Sequence, residues 1–382
     1  MNRIVIIGTG MAGYNLAREV RKLAPDVSLT LITGDDGRFY PKPMLSSALS
    51  MGKTPDQLAT ASAEEQARSL DARIMTRTRV TGIDSAGRMV TTDRGEVPYD
   101  RLVLAVGAEP IRPPIEGDAA DAVLHINNLD DYSAFRRRLE GAQRVAIIGP
   151  GLIGCEFAND LLKSGRGVAV IGPDPHPVST LLPAAAGQAL QQALGEAGAA
   201  WHLGTTVKGV SREGEGYRLA LANGETLSAD LVLSAVGLRP STALARAAGL
   251  EVNRGIVTDR LLQTSTPGIY ALGDCAEVAG LNLPFVQPLL IGARALARTL
   301  TGEETPVSYP AMPVMIKTSL HPVTVAPPPR EAEGEWQVEA QEDGGVKALF
   351  HAPDGTLLGF AFTGKAAAEA RSLIAELPPL LP

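Results

Sequence analysis

The sequence predicts an α/β protein made of two similar domains built on parallel sheets, followed by a small α/β domain at the C-terminus. Three observations support this prediction. A strand, a glycine-rich turn and a helix follow one another twice, a second pair of matching strand motifs recurs, and the chain changes character after residue 305. A length of 382 residues suits two or three domains, because one hydrophobic core rarely grows beyond about 250–300 residues.

The first strand–turn–helix unit begins at residue 3. Residues 3–7 form a short, mainly β-branched run that is typical of a buried parallel strand. The turn GTGMAG at 8–13 follows, with a predicted helix at 14–23 and a strand at 29–32. The same order recurs further along the chain as a strand at 145–148, the turn GPGLIG at 149–154, a helix at 155–163 and a strand at 168–171.

Each unit has the features by which a βαβ unit binds a dinucleotide. The first glycine allows a tight turn, the second lets the backbone approach a pyrophosphate, and the third lets the helix pack closely on the strand. The helix N-terminus then faces the anion. These glycines are Gly8, Gly10 and Gly13 in the first unit and Gly149, Gly151 and Gly154 in the second. Glycines also mark ordinary turns, but the repeated context favours two Rossmann-like dinucleotide-binding domains.

A second repeated motif suggests where the domains meet. Residues 102–110 (LVLAVGAEP) echo residues 231–240 (LVLSAVGLRP), each a predicted strand that ends in a glycine turn and a proline. A further strand ends at Asp274, which is suited to accept a hydrogen bond from a sugar hydroxyl or to cap the next segment. We therefore expect a discontinuous first domain (1–108 and 240–305), an inserted second domain (109–239) and a C-terminal domain (306–382).

The C-terminal 77 residues or so, 306–382, contain a proline run and are acidic, with five Lys and Arg against nine Asp and Glu. Strands are predicted at 314–317, 346–350 and 357–362, and a helix from residue 365. This pattern indicates a small α/β domain.

Composition narrows the classes of function. A net charge of −7 argues against nucleic acid as a partner, because phosphate binding needs a basic surface. No apolar run approaches the roughly 20 residues of a membrane span, and the first strand runs into a glycine motif rather than a signal-peptide cleavage site. Cys155 and Cys275 lie far apart, which favours the cytoplasm. No metal site is predicted, since no metal-ligand spacing links the histidines His125, His176, His202, His321 and His351.

Several of these motifs occur together in a known family. The two glycine motifs, the paired strands and the segment IYALGDCAEV resemble those of the FAD-dependent pyridine-nucleotide oxidoreductases of the glutathione-reductase superfamily. Longer stretches resemble the bacterial rubredoxin–NAD reductases within it: GTGMAGYNLARE, DDGRFYPKPMLS, GLIGCEFANDL, NRGIVTDRLLQTS and ALGDCAEVAGLNL. The resemblance covers nearly the whole chain.

The resemblance implies a resident FAD in the first domain and a visiting NADH in the second. The positions that match FAD contacts are Gly8, Thr9, Gly10, Met11, Ala12 and Gly13 at the pyrophosphate, Thr33 near the adenosine ribose, Val80 at the adenine, Asp274 at the ribityl chain, Lys42, Val286 and Lys317 at the flavin ring, and Glu156 at the junction of flavin and nicotinamide. Gly149, Gly151 and Gly154 match the site of the NADH pyrophosphate. Lys42, Glu156 and Lys317 are the implied catalytic residues.

Lys42 and Glu156 also have simpler interpretations. A lysine in a loop is usually solvated, and a glutamate in the first turn of a helix favours the helix dipole. Given the family match, we expect both beside the flavin, as a buried pair of opposite charge that tunes its potential.

The sequence departs from the usual fingerprint at both riboses. An acidic residue normally ends the second strand of such a unit. The first unit has Thr33 there, with Asp35 and Asp36 beyond it, and the second has Gly172, with Asp174 two residues later. The loop after the second unit contains no Arg or Lys to meet a 2′-phosphate, which favours NADH over NADPH.

The cysteines bear on the electron acceptor. Family members that reduce disulfides carry a cysteine pair beside the flavin, and no CxxC or CxxxxC occurs here. The resemblance therefore implies a hydride from NADH to flavin N5 and then single-electron transfer to rubredoxin, a small iron protein. Arg38, Lys42 and Lys317 are the cations considered for docking this partner, and we expect a monomer.

Other functions remain open at this point. The same architecture serves ferredoxin reductases of oxygenase systems. A membrane NADH–quinone reductase is less favoured, because no strong amphipathic anchor is seen. A non-enzymatic FAD- and NADH-dependent redox sensor is a further alternative, since a fold does not determine a function.

Overall fold

The computed structural model describes residues 3–382, which form two parallel sheets and one antiparallel sheet of five strands each, with smaller strand groups between them. The first part of the chain contains β1 (Arg3–Ile7), α1 (Met11–Leu23), β2 (Ser28–Ile32), a 3-10 helix (Lys42–Ser46), α2 (Pro55–Leu58), α3 (Ala63–Leu70), β3 (Arg73–Met75), β4 (Val80–Asp84), β5 (Met89–Thr92), β6 (Gly95–Pro98), β7 (Arg101–Leu104) and β8 (Ala108–Pro110). β1 pairs in parallel with β2 and β7, and its apolar residues are buried. This explains its continuous apolar run.

The second part repeats this topology. It contains a 3-10 turn (Ala120–Ala122), β9 (Leu124–His125), α4 (Leu129–Leu139), β10 (Arg144–Ile148), α5 (Leu152–Lys163), β11 (Gly167–Gly172), α6 (Ala184–Glu196), β12 (Ala199–Leu203), β13 (Val207–Glu213), β14 (Gly216–Leu221), β15 (Thr226–Ala229), β16 (Leu231–Ser234) and β17 (Leu238–Pro240). The sheet order is β9-β16-β10-β11-β12. In each sheet the strand before the glycine motif is therefore central, which brings the motif to the carboxyl edge, where open α/β sheets bind ligands.

The chain then returns to the first sheet. The elements are α7 (Ala243–Ala247), β18 (Ile256–Thr258), β19 (Ile269–Ala271), β20 (Ala276–Val278) and α8 (Val286–Leu300). β19 pairs with β7, so that the first sheet has the order β19-β7-β1-β2-β3, and α8 packs on α1. The crossing strands β8 and β17 pair with each other in antiparallel fashion.

The last part forms a sheet that is antiparallel throughout. It contains β21 (Val314–Ile316), β22 (Val323–Ala326), β23 (Glu335–Ala340), β24 (Val346–His351), β25 (Leu357–Thr363) and a 3-10 helix (Gly364–Glu376), with the sheet order β21-β22-β25-β24-β23. The three predicted strands correspond to β21, β24 and β25. β22 and β23 were not predicted, and the final helix has the tighter 3-10 geometry.

Both glycine-motif helices begin earlier than predicted. α1 starts at Met11 rather than residue 14, and α5 at Leu152 rather than residue 155. Gly10 and Gly151 are the N-caps, so the last three residues of each motif already have helical backbone. Among residues 3–382, none of the helices has the length and apolarity needed to cross a membrane.

Each of the two parallel sheets contains an Arg–Asp ion pair at the equivalent position. Asp100, just before β7, accepts hydrogen bonds from the Arg3 backbone N–H (2.7 Å) and from the Arg3 guanidinium (2.9 Å). Asp230, just before β16, accepts from the backbone N–H (2.8 Å) and guanidinium (2.9 Å) of Arg144. The structural repeat thus extends to side chains at the amino-terminal edge of each sheet.

Candidate functional site

A cleft of about 1560 Å³ runs along the carboxyl edges of both parallel sheets and reaches the C-terminal domain. Pockets for a single small ligand usually measure about 300–1000 Å³. The cleft is lined by both glycine motifs and by the loop that carries Lys317. It therefore has room for more than one ligand, with one motif available to each.

The three glycines of the first motif serve different purposes. Gly8 has φ +112°, and a Cβ atom there would lie 2.2 Å from the carbonyl oxygen of Ala105. At Gly13 a Cβ would lie 1.9 Å from the Gly8 oxygen. At Gly10, by contrast, no atom lies within 4 Å of the position a Cβ would take. The fold thus requires Gly8 and Gly13, whereas the open side of Gly10 leaves room for a ligand at the N-terminus of α1.

The second motif has the same geometry. Gly149 has φ +112°, and a Cβ there would lie 2.6 Å from the oxygen of Ala235. A Cβ at Gly154 would lie 1.9 Å from the Gly149 oxygen, and none of the surrounding atoms is within 4 Å of one at Gly151. Neither Gly10 nor Gly151 makes a side-chain cap, so the amides at both helix N-termini are available to an anion. Both cradles fit a dinucleotide pyrophosphate.

Most predicted site residues line this one cleft. The predicted residues found there are Gly8, Thr9, Gly10, Met11, Ala12, Thr33, Lys42, Val80, Gly149, Gly151, Glu156, Asp274, Val286 and Lys317. Gly13 and Gly154 were also predicted to bind cofactors, and they do not line it. At both positions a Cβ atom would lie 1.9 Å from the oxygen of the first glycine of the motif, so a glycine there allows each helix to approach its turn.

Thr33 stands where an acidic residue usually ends the second strand, and the nearest acid, Asp35, lies two residues later. Asp35 lines the cleft, and its Oδ1 atom accepts hydrogen bonds from the Thr33 hydroxyl (2.6 Å) and the Gly37 backbone (2.9 Å). Asp36 instead binds the Arg38 guanidinium (2.7 Å). Both acids were candidates from the sequence, and the geometry makes Asp35 the partner of Thr33.

Lys42 is held inside the cleft by an amide. Its Nζ atom donates to Oδ1 of Asn127 (2.7 Å), whose Nδ2 atom donates to the Ala108 carbonyl (2.9 Å). Burial lowers the pKa of Lys42, and the carboxylates of Asp274 and Asp131 oppose that shift. Asn127 was not identified from the sequence, because an asparagine before a helix reads as an ordinary cap or turn.

Asp274 faces Lys42 in the same cleft. Burial raises the pKa of the Asp274 carboxyl, and the Lys42 charge partly offsets this. Asn282 fixes the turn, since its Nδ2 atom donates to the backbone carbonyls of Asp274 (3.1 Å) and Ala276 (2.8 Å). A carboxyl and an ammonium thus line the first half of the cleft without a direct bond between them among the described residues.

Glu156 is paired with Lys317, and the expected pair with Lys42 is wrong. The Glu156 side chain is 1% exposed, its Oε1 atom accepts from the Lys317 backbone (2.9 Å), and its Oε2 atom accepts from Lys317 Nζ. Ser46 donates to the same Oε2 atom (2.5 Å) and accepts from Lys317 Nζ (3.1 Å). Lys42 is instead satisfied by Asn127, so it is not free to reach Glu156. Ser46, which was not among the predicted site residues, completes the network.

Two cations considered for docking are not available. Arg38 contacts the carboxylates of Asp36, Asp56 and Asp130, and Lys42 lies within the cleft. Lys317 is 33% exposed and keeps a path to the surface.

The two cysteines are buried, and burial raises the pKa of both thiols, to about 11 for Cys275. A neutral buried thiol is a poor nucleophile, which fits the expectation that they pack rather than react. Within residues 3–382 no group of His, Cys, Asp and Glu has the arrangement of a metal site.

Comparisons with known proteins agree with this site. Residues 2–297 match the family described as pyridine nucleotide-disulphide oxidoreductase, and residues 306–377 match a rubredoxin binding C-terminal domain. The chain is 48% identical to a rubredoxin-NAD(+) reductase of Alcanivorax borkumensis, with 100% of both chains covered, and 47% identical to one of Acinetobacter baylyi, with 100% and 99% covered.

Solved structures give the same result. A ferredoxin reductase for the CYP199A2 system from Rhodopseudomonas palustris has a TM-score of 0.89 and 27% identity, with 99% of this chain and 96% of that chain covered. Putidaredoxin reductase in its covalent complex with putidaredoxin has a TM-score of 0.89 and 26% identity, with 100% and 94% covered. With its two glycine cradles on one cleft, the chain belongs to the pyridine nucleotide-disulphide oxidoreductase family.

Proposed function

We propose that this chain is an FAD-containing reductase that oxidises NADH and delivers electrons to rubredoxin. The observation that carries this proposal is the pair of equivalent glycine cradles on one cleft, with a rubredoxin-binding domain contributing Lys317 to its wall. The relatives at 47–48% identity are rubredoxin-NAD(+) reductases, and the match extends over nearly their whole length. This supports the same activity here.

The first half of the cleft would hold FAD. Gly10 and the N-terminus of α1 fit the pyrophosphate, Thr33 with Asp35 fits the adenosine ribose, and Asp274 fits the ribityl hydroxyls. Bound FAD supplies the chemistry of accepting a hydride and releasing single electrons, while the protein supplies position, polarity and exclusion of water. Val80 and Val286 line the same half of the cleft, where they supply backbone and apolar contact.

Helix α5 joins the second cradle to the charged network. Its N-terminus at Gly151 fits the NADH pyrophosphate, and its second turn carries Glu156. Because Glu156 is bound by Ser46 and Lys317, one carboxylate ties three parts of the chain together. Hydride transfer needs no general acid or base, so we assign Glu156 and Lys317 to orientation and electrostatics, and Lys42 to the same task with Asn127.

The acceptor surface lies next to Lys317. Met315 is 65% exposed and Leu320 is 42% exposed, and Lys163 donates to the Ser319 hydroxyl (3.0 Å) beside them. We define Lys163, Met315, Ser319 and Leu320 as the exit surface. Three of its four residues belong to the matched rubredoxin-binding domain. The exposed ammonium group of Lys163 suits a small acidic iron protein. Rubredoxin is therefore the occupant we propose.

Three further points are proposals of the same kind. We divide the chain into an FAD domain (1–108 and 240–305), an NADH domain (109–239) and a C-terminal domain (306–382); the pairing of β19 with β7 supports the discontinuous first domain. We also propose a cytoplasmic location, supported by the two unpaired buried thiols, and a monomer. Sedimentation of the purified protein tests the last point.

A matched pair of variants tests which cradle holds which nucleotide. Gly10→Val and Gly151→Val add side chains where the fold has open space, at a cost of about 1 kcal/mol from the lost cap preference. We expect Gly10→Val to purify without flavin absorbance. Gly151→Val should keep its flavin and lose reduction by NADH. Gly82→Val, in β4 and in ordinary contact with Thr91, is the control. A Gly10→Val protein with full flavin, or a Gly151→Val protein reduced by NADH at the normal rate, would contradict the assignment.

A further inference from the structure

The second nucleotide unit has no acid at the end of its second strand, and the structure gives the reason. β11 ends at Gly172, where a Cβ atom would lie 2.2 Å from Cδ and 2.7 Å from Cγ of Pro150. The ring of Pro150 is part of the glycine motif and has no freedom to rotate away. Position 172 therefore has no room for a side chain, and ribose recognition has to come from elsewhere.

Asp174 is the nearest acid, and it is fixed in the cleft. It lines the cleft beside the second glycine motif, and its Oδ1 atom accepts a hydrogen bond from the Ser179 hydroxyl (2.5 Å). Its backbone carbonyl accepts from Gly204 (3.3 Å), which ties the loop to the segment after β12. Within the described residues, Oδ2 of Asp174 has no hydrogen-bond partner. One carboxylate oxygen is thus used for positioning, and the other is open to a ligand.

The loop after β11 folds back onto the second glycine motif, and this requires a strained backbone conformation at Val178. Val178 has φ +55°, a conformation that is rare for a β-branched residue. Its backbone N–H donates to the carbonyl of Pro150 (2.9 Å), and its carbonyl accepts from Leu181 (2.9 Å) and Leu182 (3.0 Å). This strained turn keeps the segment from Asp174 to Ser179 against the motif, as expected where a loop has to present a side chain to a ligand.

The surrounding charge is one-sided. The loop 172–183 contains no Lys or Arg, and none lines the cleft from residues 148–153, 171–174 or 178–181. The cleft cations Arg38, Lys42, Arg79, Arg254 and Lys317 all come from other segments. A dianionic 2′-phosphate beside Asp174 would meet a like charge without a compensating cation, whereas a hydroxyl would meet a hydrogen-bond acceptor.

We propose that Asp174, positioned by Ser179, replaces the missing strand-end acid: it accepts the hydrogen bond of an adenosine ribose hydroxyl of NADH and repels the 2′-phosphate of NADPH. This assignment rests on the proposed use of the second cradle for the nicotinamide dinucleotide. Asp174 is thus a specificity residue, and Ser179 is a positioning residue that acts through it.

The test uses the FAD-loaded full-length protein and the nucleotides NAD+, NADP+, NADH and NADPH. Titration calorimetry measures binding of the oxidised forms, and steady-state assays give kcat and KM for the reduced forms. Asp174→Ala should raise KM for NADH about tenfold, with kcat nearly unchanged, because a ribose contact is made equally in ground and transition states. The preference for NADH over NADPH should fall by about tenfold or more.

Two further variants separate charge from hydrogen bonding. Asp174→Asn keeps an acceptor oxygen without the charge, so it should lose discrimination against NADP+ while keeping more of its NAD+ affinity than Asp174→Ala. Ser179→Ala keeps the charge, so it should weaken NAD+ binding by about threefold, the strength of one modest hydrogen bond, and still exclude NADP+. Asp121→Ala, an exposed acid in the same domain, should change none of these values.

The outcomes distinguish this inference from the proposed function. If the unmodified protein is not reduced by NADH, the proposed function fails and the inference fails with it. If the unmodified protein is reduced by NADH and Asp174→Ala leaves both the KM for NADH and the NADH/NADPH ratio unchanged, the inference alone is overturned. A Ser179→Ala protein that loses discrimination against NADP+ as fully as Asp174→Asn would overturn the division of roles.

Discussion

The Lys317 ammonium group donates to the Glu156 carboxylate, although the two residues lie 161 positions apart in the chain. Glu156 belongs to the second turn of α5, the helix that begins at the second glycine cradle, and Lys317 follows β21 in the C-terminal domain. Because the Glu156 side chain is buried and also bound by Ser46, this pair holds the wall of the cleft together. Asn159 and Lys163 of the same helix also bond to the loop after Lys317, at Ser319 and Leu320.

Glu156→Gln should raise the midpoint potential of the bound flavin. Removing the carboxylate leaves the Lys317 charge uncompensated, which favours the more negative, reduced form of a neighbouring group. A loss of about 1.4 kcal/mol, typical of a charge-assisted hydrogen bond, corresponds to about 30 mV for two electrons. Anaerobic redox titration with reference dyes measures the shift, and the rate of reduction by NADH is recorded in parallel.

Ser46→Ala is the matched, milder change. It removes two hydrogen bonds and leaves the ion pair, so the potential should move in the same direction by less than in Glu156→Gln. Glu140→Gln, exposed at the end of α4, is the control. An unchanged potential together with an unchanged reduction rate in Glu156→Gln would show that the network is structural only.

Asp274→Asn should weaken flavin binding and stabilise the flavin-free protein at pH 7. Burial raises the pKa of the Asp274 carboxyl, so its ionised form costs stability above that pKa. Removing the charge should therefore gain about 1 kcal/mol at pH 7, and this gain should vanish below about pH 4, where the unfolded carboxyl is protonated too. Thermal midpoints of flavin-free protein at both pH values, with FAD affinity measured by fluorescence, test this. Lower stability of Asp274→Asn at pH 7 would contradict the claim that the buried Asp274 charge costs stability in the flavin-free protein.

Much of the fold could be predicted from the sequence, because its signals are local. The first and third glycines of both motifs are required by close backbone contacts within a few residues or with the adjacent strand end, and such requirements repeat wherever the unit repeats. The partner of Glu156 was predicted wrongly for the opposite reason. Lys42 and Lys317 are equally plausible from charge alone, and only the packing of three separate segments selects Lys317.

Residues such as Ser46 and Asn127 could not have been selected from the sequence. Ser46 lies 110 positions from Glu156, and Asn127 lies 85 positions from Lys42. Neither residue belongs to a motif with a distinctive spacing. Each can be recognised only from the charged side chain to which it is hydrogen-bonded in the folded protein. The antiparallel strands β22 and β23 were not predicted either. β22 has only four residues, all buried, and β23 is mostly exposed although its sequence EWQVEA alternates polar and apolar residues.

Asp100→Asn should destabilise the first sheet by about 1 kcal/mol at pH 7, a value reduced for solvent screening because the pair is partly exposed. Hydrogen bonds from Arg3 lower the pKa of Asp100 to about 2. Its contribution is therefore present above the ordinary carboxyl pKa and is lost as the pH falls through about 2. Hydrogen exchange of β1 and β7 amides, compared at pH 7 and near the acid limit of folding, measures it. An equal difference at both pH values would argue against the ionic origin.

Lys163→Glu should raise KM for rubredoxin by about threefold or more at low salt, without changing reduction by NADH. The substitution reverses the exposed charge on the exit surface, and salt should reduce the difference, because exposed charges are screened. Lys208→Glu, on β13, makes the same charge change away from this surface. Equal effects of the two variants would indicate a general charge effect and would remove Lys163 from the docking site.

The most direct test of the proposed activity is the reoxidation of the NADH-reduced protein in a rapid-mixing instrument without oxygen. Rubredoxin, a ferredoxin and a water-soluble quinone are supplied separately at equal concentration. We predict that rubredoxin reoxidises the protein about tenfold faster than either alternative, a difference of about 1.4 kcal/mol in activation free energy. Slower reoxidation by rubredoxin than by the ferredoxin or the quinone would contradict the account.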